Sequence, residues 1–254
     1  MSTILVPYHL DEHLPDLDVP VDGAGTGGTV TAELPEGPLW DRLAVLYRQV
    51  AATVAERAGW GGRPLVVVGG DCTTSLGTVA GLQAAGVDPA VVWFDAHGDV
   101  QTLETTTSGY AGGLPLRILV GYRPELIADQ LGLTAVAEDR VTLVGARDLD
   151  PPEVEYLAGS AIHRYEVRDL TGDRLPAGPL YLHVDLDVVD SARLPGLRFP
   201  APDGPDPALL ASAMRRVLAT GRVAAVGLAC TWYPGHHAAD RLREHLQPVL
   251  AGLD

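Results

Sequence analysis

The sequence predicts an α/β protein with a mostly parallel central sheet and helices on both of its faces. Short apolar runs rich in β-branched residues alternate along the chain with stretches of helical pattern, as in parallel strands joined by crossover helices. The runs are almost wholly apolar, which is typical of strands covered on both faces. A chain of 254 residues is also long enough to bury a large core.

Each element follows from one of these patterns. The apolar runs predict strands at Leu65–Val68, Ala90–Phe94, Val141–Val144, Leu180–Val184 and Val223–Leu228. The stretches around them predict helices at Leu39–Ala58, Ser75–Ala85, Glu153–Ala158, Pro207–Leu218 and Ala238–Leu250. Segments rich in Gly, Pro or acidic residues predict long loops at Asp11–Gly37 and Arg193–Pro207. Because the strand–helix rhythm continues after each loop, we expect a single domain over residues 1–254.

Composition excludes several classes of function. The formal net charge is −15, so the basic footprint needed for nucleic acid or an anionic membrane is missing. All 18 basic residues are Arg, which excludes a Schiff-base lysine and a P-loop. Cys72 and Cys230 form no disulfide framework, Met1–Leu10 lacks the features of a signal peptide, and no apolar run is long enough to span a membrane. We expect a cytoplasmic protein that acts on a small molecule.

Polar residues cluster where three of the predicted strands end, which is where open α/β sheets bind ligands. Leu65–Val68 is followed by Gly69–Thr73, Ala90–Phe94 by Asp95–Asp99, and Leu180–Val184 by Asp185 and its neighbours. In extended chain, residues two apart point the same way, so the side chains of each acidic segment can converge.

Convergence of these side chains favours a metal site. The set is Asp95, His97, Asp99, Asp185 and Asp187. Their carboxylates would repel one another without a cation, whereas separately each residue could be a cap or turn residue. Oxygen ligands with one imidazole suit Mn²⁺, and this many carboxylates allows two ions that share bridging ligands.

The three segments resemble the signatures of the arginase/ureohydrolase family. Gly69–Thr73 is similar to GGDHS, Asp95–Asp99 to DAHxD, and His183–Asp187 to the start of SxDxDxxDP, in the same order along the chain. The resemblance implies a three-layer α/β/α sandwich, a binuclear manganese site and hydrolysis of a guanidino group by a metal-bound hydroxide. Family members often form homo-oligomers, although nothing in this sequence identifies an interface.

Carried over by position, the resemblance implies two overlapping ligand sets. One metal would be bound by Cys72, Asp95, Asp99 and Asp185. The other would be bound by Asp95, His97, Asp185 and Asp187. Asp99 would also pass a proton to the leaving amine as the catalytic general acid.

Two further segments resemble the substrate-binding loops of arginases. Arg147–Glu153 is similar to RDVDPGE, in which acidic residues bind an α-ammonium group, and Thr105–Tyr110 is similar to TTTSGN, which binds an α-carboxylate. The substrate-binding residues implied are Ser108, Tyr110, Asp150 and Glu153. Both segments favour an α-amino acid over a decarboxylated amine such as agmatine, although an Asp in a helix N-terminal turn also serves as a cap.

Four departures from the family pattern alter the expected chemistry. Cys72 replaces a metal-binding His, Gly112 a proton-shuttle His, and His183 a Ser, while Thr231 or Trp232 falls where a Glu normally pairs with the guanidinium. A thiol ligand weakens one manganese site. Without the Glu, a charged guanidinium would lie unpaired.

These departures favour Nω-hydroxy-L-arginine, whose less basic guanidine needs that partner less, with ornithine and hydroxyurea as products. Arginase relatives in antibiotic biosynthesis hydrolyse this compound, and the Cys substitution resembles that branch. Two alternatives stay open: a hydrolase of another C–N or amide substrate, and a metal-binding relative without catalysis. Also open are whether His183 is an extra ligand or a buried structural residue, and whether His236 or His237 reaches the site. Cys230 is expected in the core.

Overall fold

The computed structural model describes residues 3–58 and 63–252. Within them the strands are β1 (Thr3–Val6), β2 (Tyr8–His9), β3 (Glu12–His13), β4 (Gly28–Thr29), β5 (Leu65–Gly69), β6 (Ala90–Phe94), β7 (Val141–Val144), β8 (His163–Tyr165), β9 (Leu180–Asp185) and β10 (Val223–Ala229). The α-helices are α1 (Leu39–Arg57), α2 (Thr74–Ala84), α3 (Pro115–Leu119), α4 (Ala128–Leu131), α5 (Pro151–Gly159), α6 (Pro207–Leu218) and α7 (Ala238–Ala251). No helix in these ranges is long and apolar enough to cross a membrane.

The central sheet confirms the predicted fold class. Over the described residues its order is β4-β1-β5-β10-β9-β6-β7-β8, and every pairing within it is parallel. The five predicted strands lie side by side at its centre and are fully buried apart from Ala224 of β10. Burial of the backbone on both faces explains why their sequences carry almost no polar residues.

Side chains on alternate strand positions build two separate cores, which give the three layers. One core packs alternate residues of β5 and β6, such as Val67 and Val91, against α1 and α2. The other packs the intervening positions, such as Val66 and Val92, against α6 and α7. Cys230 lies fully buried in this second core, as the sequence predicts.

The sequence interpretation missed the outer strands. β1 is only four residues long, and β8 lies at the sheet edge with two of its three residues exposed, so neither produces a strong apolar run. The prediction of a continuous loop over Asp11–Gly37 is wrong at Glu12–His13 and Gly28–Thr29, each a two-residue strand. Pairs this short are specified by their neighbours rather than by periodicity.

Three strands of this sheet deliver the candidate residues. β9 and β6 are adjacent, and only β10 lies between β9 and β5. Because all of them run in one direction, their carboxyl ends meet at one edge of the sheet. The turn after β5, the last residue of β9 and the segment after β6 therefore face a common space.

Candidate metal centre

Two groups of potential metal ligands meet at the carboxyl edge of the sheet, and Asp95 belongs to both. We call Asp95, His97 and Asp187 the outer cluster, and Cys72, Asp95 and His183 the inner cluster. In each cluster one ligand atom per residue lies within 4.8 Å of the others. Asp185 links the clusters, because its Oδ2 lies 2.8 Å from the Cys72 sulfur and its Oδ1 accepts a hydrogen bond from the backbone N–H of Asp187 at 2.8 Å.

The outer cluster is held by the short turns after β6 and β9. His97 Nδ1 lies 3.3 Å from Asp95 Oδ1 and 3.2 Å from Asp187 Oδ2. The backbone N–H of His97 donates to Asp95 Oδ1 at 2.7 Å, and the backbone N–H of Ala96 donates to Asp187 Oδ1 at 3.4 Å. These bonds fix both carboxylates around the imidazole, as the spacing of the Asp95–Asp99 segment predicts.

The inner cluster is more deeply buried and draws on three strands. His183 Nε2 lies 3.3 Å from the Cys72 sulfur, and the sulfur lies 3.8 Å from Asp95 Oδ2. On the other side of the imidazole ring, His183 Nδ1 is 2.9 Å from Ser75 Oγ. The ring also stacks on Trp93 with 3.7 Å between centroids. The structure therefore brings His183 to the site rather than into the apolar core.

Asp99 combines a strained backbone with a carboxyl oxygen that has no partner in the described chain. Its φ of +55° lies in the left-handed region, which non-glycine residues rarely adopt. Asp99 is only 5% exposed, and its Oδ2 finds no hydrogen-bond partner among residues 3–58 and 63–252. A buried carboxylate oxygen without a partner indicates a ligand that the surrounding side chains do not supply.

Burial and crowding shift the pKa values of the acidic groups at this edge of the sheet. Burial, reinforced by the charges of neighbouring carboxylates, raises the pKa of Asp99, Asp185 and Asp187. Burial also raises the pKa of the Cys72 thiol, and Asp185 adds to that effect. This electrostatic conflict is the one that a bound cation relieves.

The two histidines respond in opposite directions. Burial alone would lower the pKa of His97, but its bonds to Asp187 and Asp95 outweigh burial and raise the pKa to about 12. Burial lowers the pKa of His183 to about 3, so this imidazole is neutral and keeps a lone pair.

These residues fit a divalent metal centre. The outer cluster offers two carboxylates and an imidazole, a donor set that suits Mn²⁺. The inner cluster offers a thiol, a carboxylate and an imidazole, which suit a softer ion. The oxygen of Asp99 that has no partner in the described part of the chain also fits a bound cation.

A pocket opens directly above this floor and is lined by the residues that the sequence analysis assigns to substrate binding. The floor residues Cys72, His97, Asp99, Asp185 and Asp187 line it from below. Its walls include Ser108, Tyr110, Asp150 and Glu153. Thr106, from the predicted substrate-binding segment Thr105–Tyr110, also lines the pocket, as do Gln101 and Phe199, which the sequence analysis did not identify.

Asp150 and Glu153 form a capping box at the start of α5. Glu153 Oε2 accepts from the backbone N–H of Asp150 at 3.1 Å, and Oε1 accepts from that of Val100 at 3.3 Å. Gln101 Nε2 donates to Asp150 Oδ2 at 2.8 Å. Both acids therefore have structural partners and also line the pocket.

Tyr110 fills the space beside Gly112. A Cβ atom at Gly112 would overlap the Tyr110 ring, so a larger residue there would require the ring to move. The Tyr110 hydroxyl lies 3.1 Å from His9 Nε2, and His9 Nδ1 lies 2.9 Å from the Gly70 carbonyl oxygen. Because a carbonyl only accepts, Nδ1 carries the proton and Tyr110 donates to Nε2. No local sequence signal links His9 to Tyr110.

The structure separates Thr231 from Trp232. Thr231 lines the pocket and donates to Asp185 Oδ1 at 2.7 Å. The Trp232 indole points away and donates to the Asp18 carbonyl oxygen at 3.1 Å. His236 and His237 are both exposed, and within the described chain neither belongs to the pocket lining.

Comparison with known proteins agrees with this architecture. The model of the arginase family matches residues 15–231. The arginase of Bacillus subtilis strain 168 is 33% identical over 152 residues, covering 55% of this chain and 51% of that protein. The mitochondrial arginase-2 of Oryctolagus cuniculus is 30% identical over 199 residues, covering 68% of this chain and 56% of that protein. The chain thus spans about half the length of these curated relatives.

Solved structures share the fold over nearly the whole chain. The arginase of Entamoeba histolytica in complex with L-ornithine has a TM-score of 0.82 at 20% identity, covering 98% of this chain and 97% of that one. Formimidoylglutamase of Bacillus subtilis has a TM-score of 0.70 at 16% identity, covering 99% and 86%. At these identities the likeness is one of fold.

Proposed function

The chain belongs to the arginase family, and from this membership we propose that it is a metal-dependent hydrolase of the guanidino C–N bond of an arginine-like amino acid. The observation that carries the proposal is the floor of the pocket. Four carboxylates, an imidazole and a thiol converge there, and Asp99 Oδ2 has no partner in the described residues. Such a concentration of charge is costly unless a cation is bound.

The proposed ligands are those implied by the family resemblance: Cys72, Asp95, His97, Asp99, Asp185 and Asp187. When bound, divalent metal supplies an activated water as the nucleophile. Water adds to the guanidino carbon, the bond from that carbon to the side-chain nitrogen breaks, and the nitrogen takes up a proton. Asp99 lines the pocket and is the residue that the family resemblance implies for passing a proton to the leaving nitrogen.

The walls support an α-amino acid as substrate. Asp150 and Glu153 present acidic groups to an α-ammonium, and the opposite loop presents Ser108 and Tyr110 to an α-carboxylate. Since Thr231 provides a hydroxyl group rather than a carboxylate beside Asp185, a less basic guanidine suits this pocket better than arginine does. We therefore propose Nω-hydroxy-L-arginine as the preferred substrate, with ornithine and hydroxyurea as products.

The test is release of ornithine from L-arginine and Nω-hydroxy-L-arginine in parallel, after loading with Mn²⁺. We expect kcat/KM for the hydroxylated compound to be higher by at least about tenfold, because an unpaired buried charge costs several kcal/mol. Agmatine, which lacks the α-carboxylate, is expected to react poorly. A preference for arginine would contradict the substrate assignment but not the proposed hydrolase activity.

A matched pair of variants ties the activity to the floor of the pocket. Asp187→Asn removes one floor carboxylate, whereas Asp129→Asn makes the same change on the exposed face of α4. Ornithine release should fall in the first variant alone. Bound metal without release from any arginine analogue or simple amide would contradict the proposal and favour a metal-binding relative without catalysis.

A further inference from the structure

We propose that the inner cluster is a separate nitrogen–sulfur metal site, with His183 as a ligand beside Cys72 and Asp95, and that it prefers a borderline ion such as Zn²⁺ to Mn²⁺. The outer cluster would remain the oxygen-rich manganese site. This inference rests on the proposed metal centre but not on which substrate the enzyme cleaves.

The first argument is geometric. Metal–ligand bonds of roughly 2.0–2.3 Å place two ligands of one ion no more than about 4.6 Å apart. His183 Nε2 lies 3.3 Å from the Cys72 sulfur, and the sulfur lies 3.8 Å from Asp95 Oδ2. These three side chains can therefore contact one ion without rearranging the strands that carry them.

The second argument concerns the orientation of the His183 ring. Ser75 Oγ occupies the Nδ1 side at 2.9 Å, and the Trp93 ring stacks on the imidazole face. A histidine that binds metal is generally fixed in this way, with one nitrogen held by a polar partner and the other free for the ion. Here the other nitrogen is Nε2, whose hydrogen-bond partner in the structure is the Cys72 sulfur. Trp93 also donates to Asp95 Oδ2 at 3.1 Å, so one indole positions two of the three ligands.

A third observation, the orphaned carboxylate oxygen of Asp99, fits a cation in this pocket. Asp99 is 5% exposed and lines the same pocket as Cys72, and its Oδ2 finds no partner in the part of the chain that the structure describes. Asp99 thus adds a buried oxygen donor to the pocket that Cys72 also lines. The group is therefore more than a cysteine beside acidic residues.

The preference for a softer ion follows from the donor atoms. Thiolate and imidazole favour zinc, iron and cobalt, whereas carboxylate oxygens suit manganese, which also stands lowest in the general order of divalent affinities. The outer cluster has one imidazole and two carboxylates, and the inner cluster exchanges one carboxylate for sulfur. The inner cluster should therefore prefer zinc to manganese by a wider margin than the outer cluster does.

The test is titration of the metal-free protein with Co²⁺, followed by the thiolate-to-cobalt charge-transfer absorption in the near ultraviolet. We expect the band in the wild type, its loss in Cys72→Ser, and at least about tenfold weaker binding in His183→Gln, since weakening even an indirect partner of a ligand costs that much. Two matched controls should retain the band and the affinity: Cys230→Ala in the second core, and His163→Gln on the exposed edge strand β8.

Competition between Zn²⁺ and Mn²⁺ adds a readout that does not depend on colour or activity. After dialysis against an equimolar mixture, metal analysis should show more zinc bound to the wild type than to Cys72→Ser or His183→Gln. A wild type without the band, or a His183→Gln variant with unchanged cobalt and zinc affinity, would overturn the inference. Ornithine release measured on the same samples tests the proposed function separately, because manganese-supported hydrolysis without the band would refute only the present inference.

Discussion

The inner and outer clusters share Asp95, yet they are built differently. The outer cluster takes its other two ligand candidates from tight turns directly after β6 and β9, and both line the pocket. The inner cluster pairs Cys72 from the turn after β5 with His183 from the middle of β9, which is only 1% exposed. Within the outer cluster, Asp95 and His97 thus come from one short segment and only Asp187 depends on β6 and β9 being neighbours. The inner cluster takes each of its residues from a different strand or the turn that follows it.

Removing Asp95, the ligand candidate that both clusters share, tests whether they depend on each other. Asp95→Asn should abolish tight metal binding at both clusters and lower kcat/KM by at least about a thousandfold, equivalent to roughly 4 kcal/mol of transition-state stabilisation. Metal analysis and ornithine release measure the two effects. The exposed Asp173 provides a control, since Asp173→Asn should change neither. Retention of one full equivalent of metal by Asp95→Asn would show that the clusters are not joined through this residue.

A change at His97, which belongs only to the outer cluster, tests whether the two clusters bind metal separately. His97→Gln should weaken manganese binding by at least about tenfold while zinc binding at the inner cluster stays within about twofold. Calorimetric titration with each ion on the metal-free variant makes the measurement. If both affinities fell together, the two clusters would be one cooperative site.

Metal removal tests whether either cluster stabilises the fold. The crowded carboxylates gain a counter-charge on binding, so metal at about 100 times its Kd should raise the free energy of unfolding by about 2.7 kcal/mol. Thermal unfolding with and without each ion gives the shift in Tm. In Cys72→Ser the zinc-dependent part should decrease more than the manganese-dependent part. The reverse result would exchange the assignments of the two clusters.

The smallest expected effects lie in the wall of the pocket. Asp150→Asn keeps the helix cap but removes the charge, so KM should rise by about tenfold with metal content unchanged. Asp206→Asn is the matched control, because Asp206 is exposed and also caps a helix. Its side chain accepts a hydrogen bond of 2.8 Å from the backbone N–H of Leu209 in α6.

Glu153→Ala should instead cost about 1 kcal/mol of stability, since both of its oxygens accept backbone N–H groups. Equal loss of metal in Asp150→Asn and Glu153→Ala would contradict a role in substrate binding and make the segment structural.

The sequence was sufficient to predict the centre of the sheet and the residues of the outer cluster. Five central strands are apolar because both faces are covered, and the period of two residues predicts that Asp95 and His97 converge. The contact between Cys72 and His183 could not be predicted in this way. Cys72 and His183 are 111 positions apart, and their contact depends on the order β5-β10-β9-β6, which no local pattern encodes. The bond between Tyr110 and His9 likewise joins residues 101 positions apart.

Trp93 has a consequence beyond packing. Its indole stacks on His183 and hydrogen-bonds Asp95, so it contacts the inner cluster and the ligand that both clusters share. A paramagnetic ion at that distance quenches tryptophan emission, whereas closed-shell zinc does not. Trp93 fluorescence would therefore report which ion binds the proposed inner site, and Trp93→Phe would identify its signal among the four tryptophans of the chain.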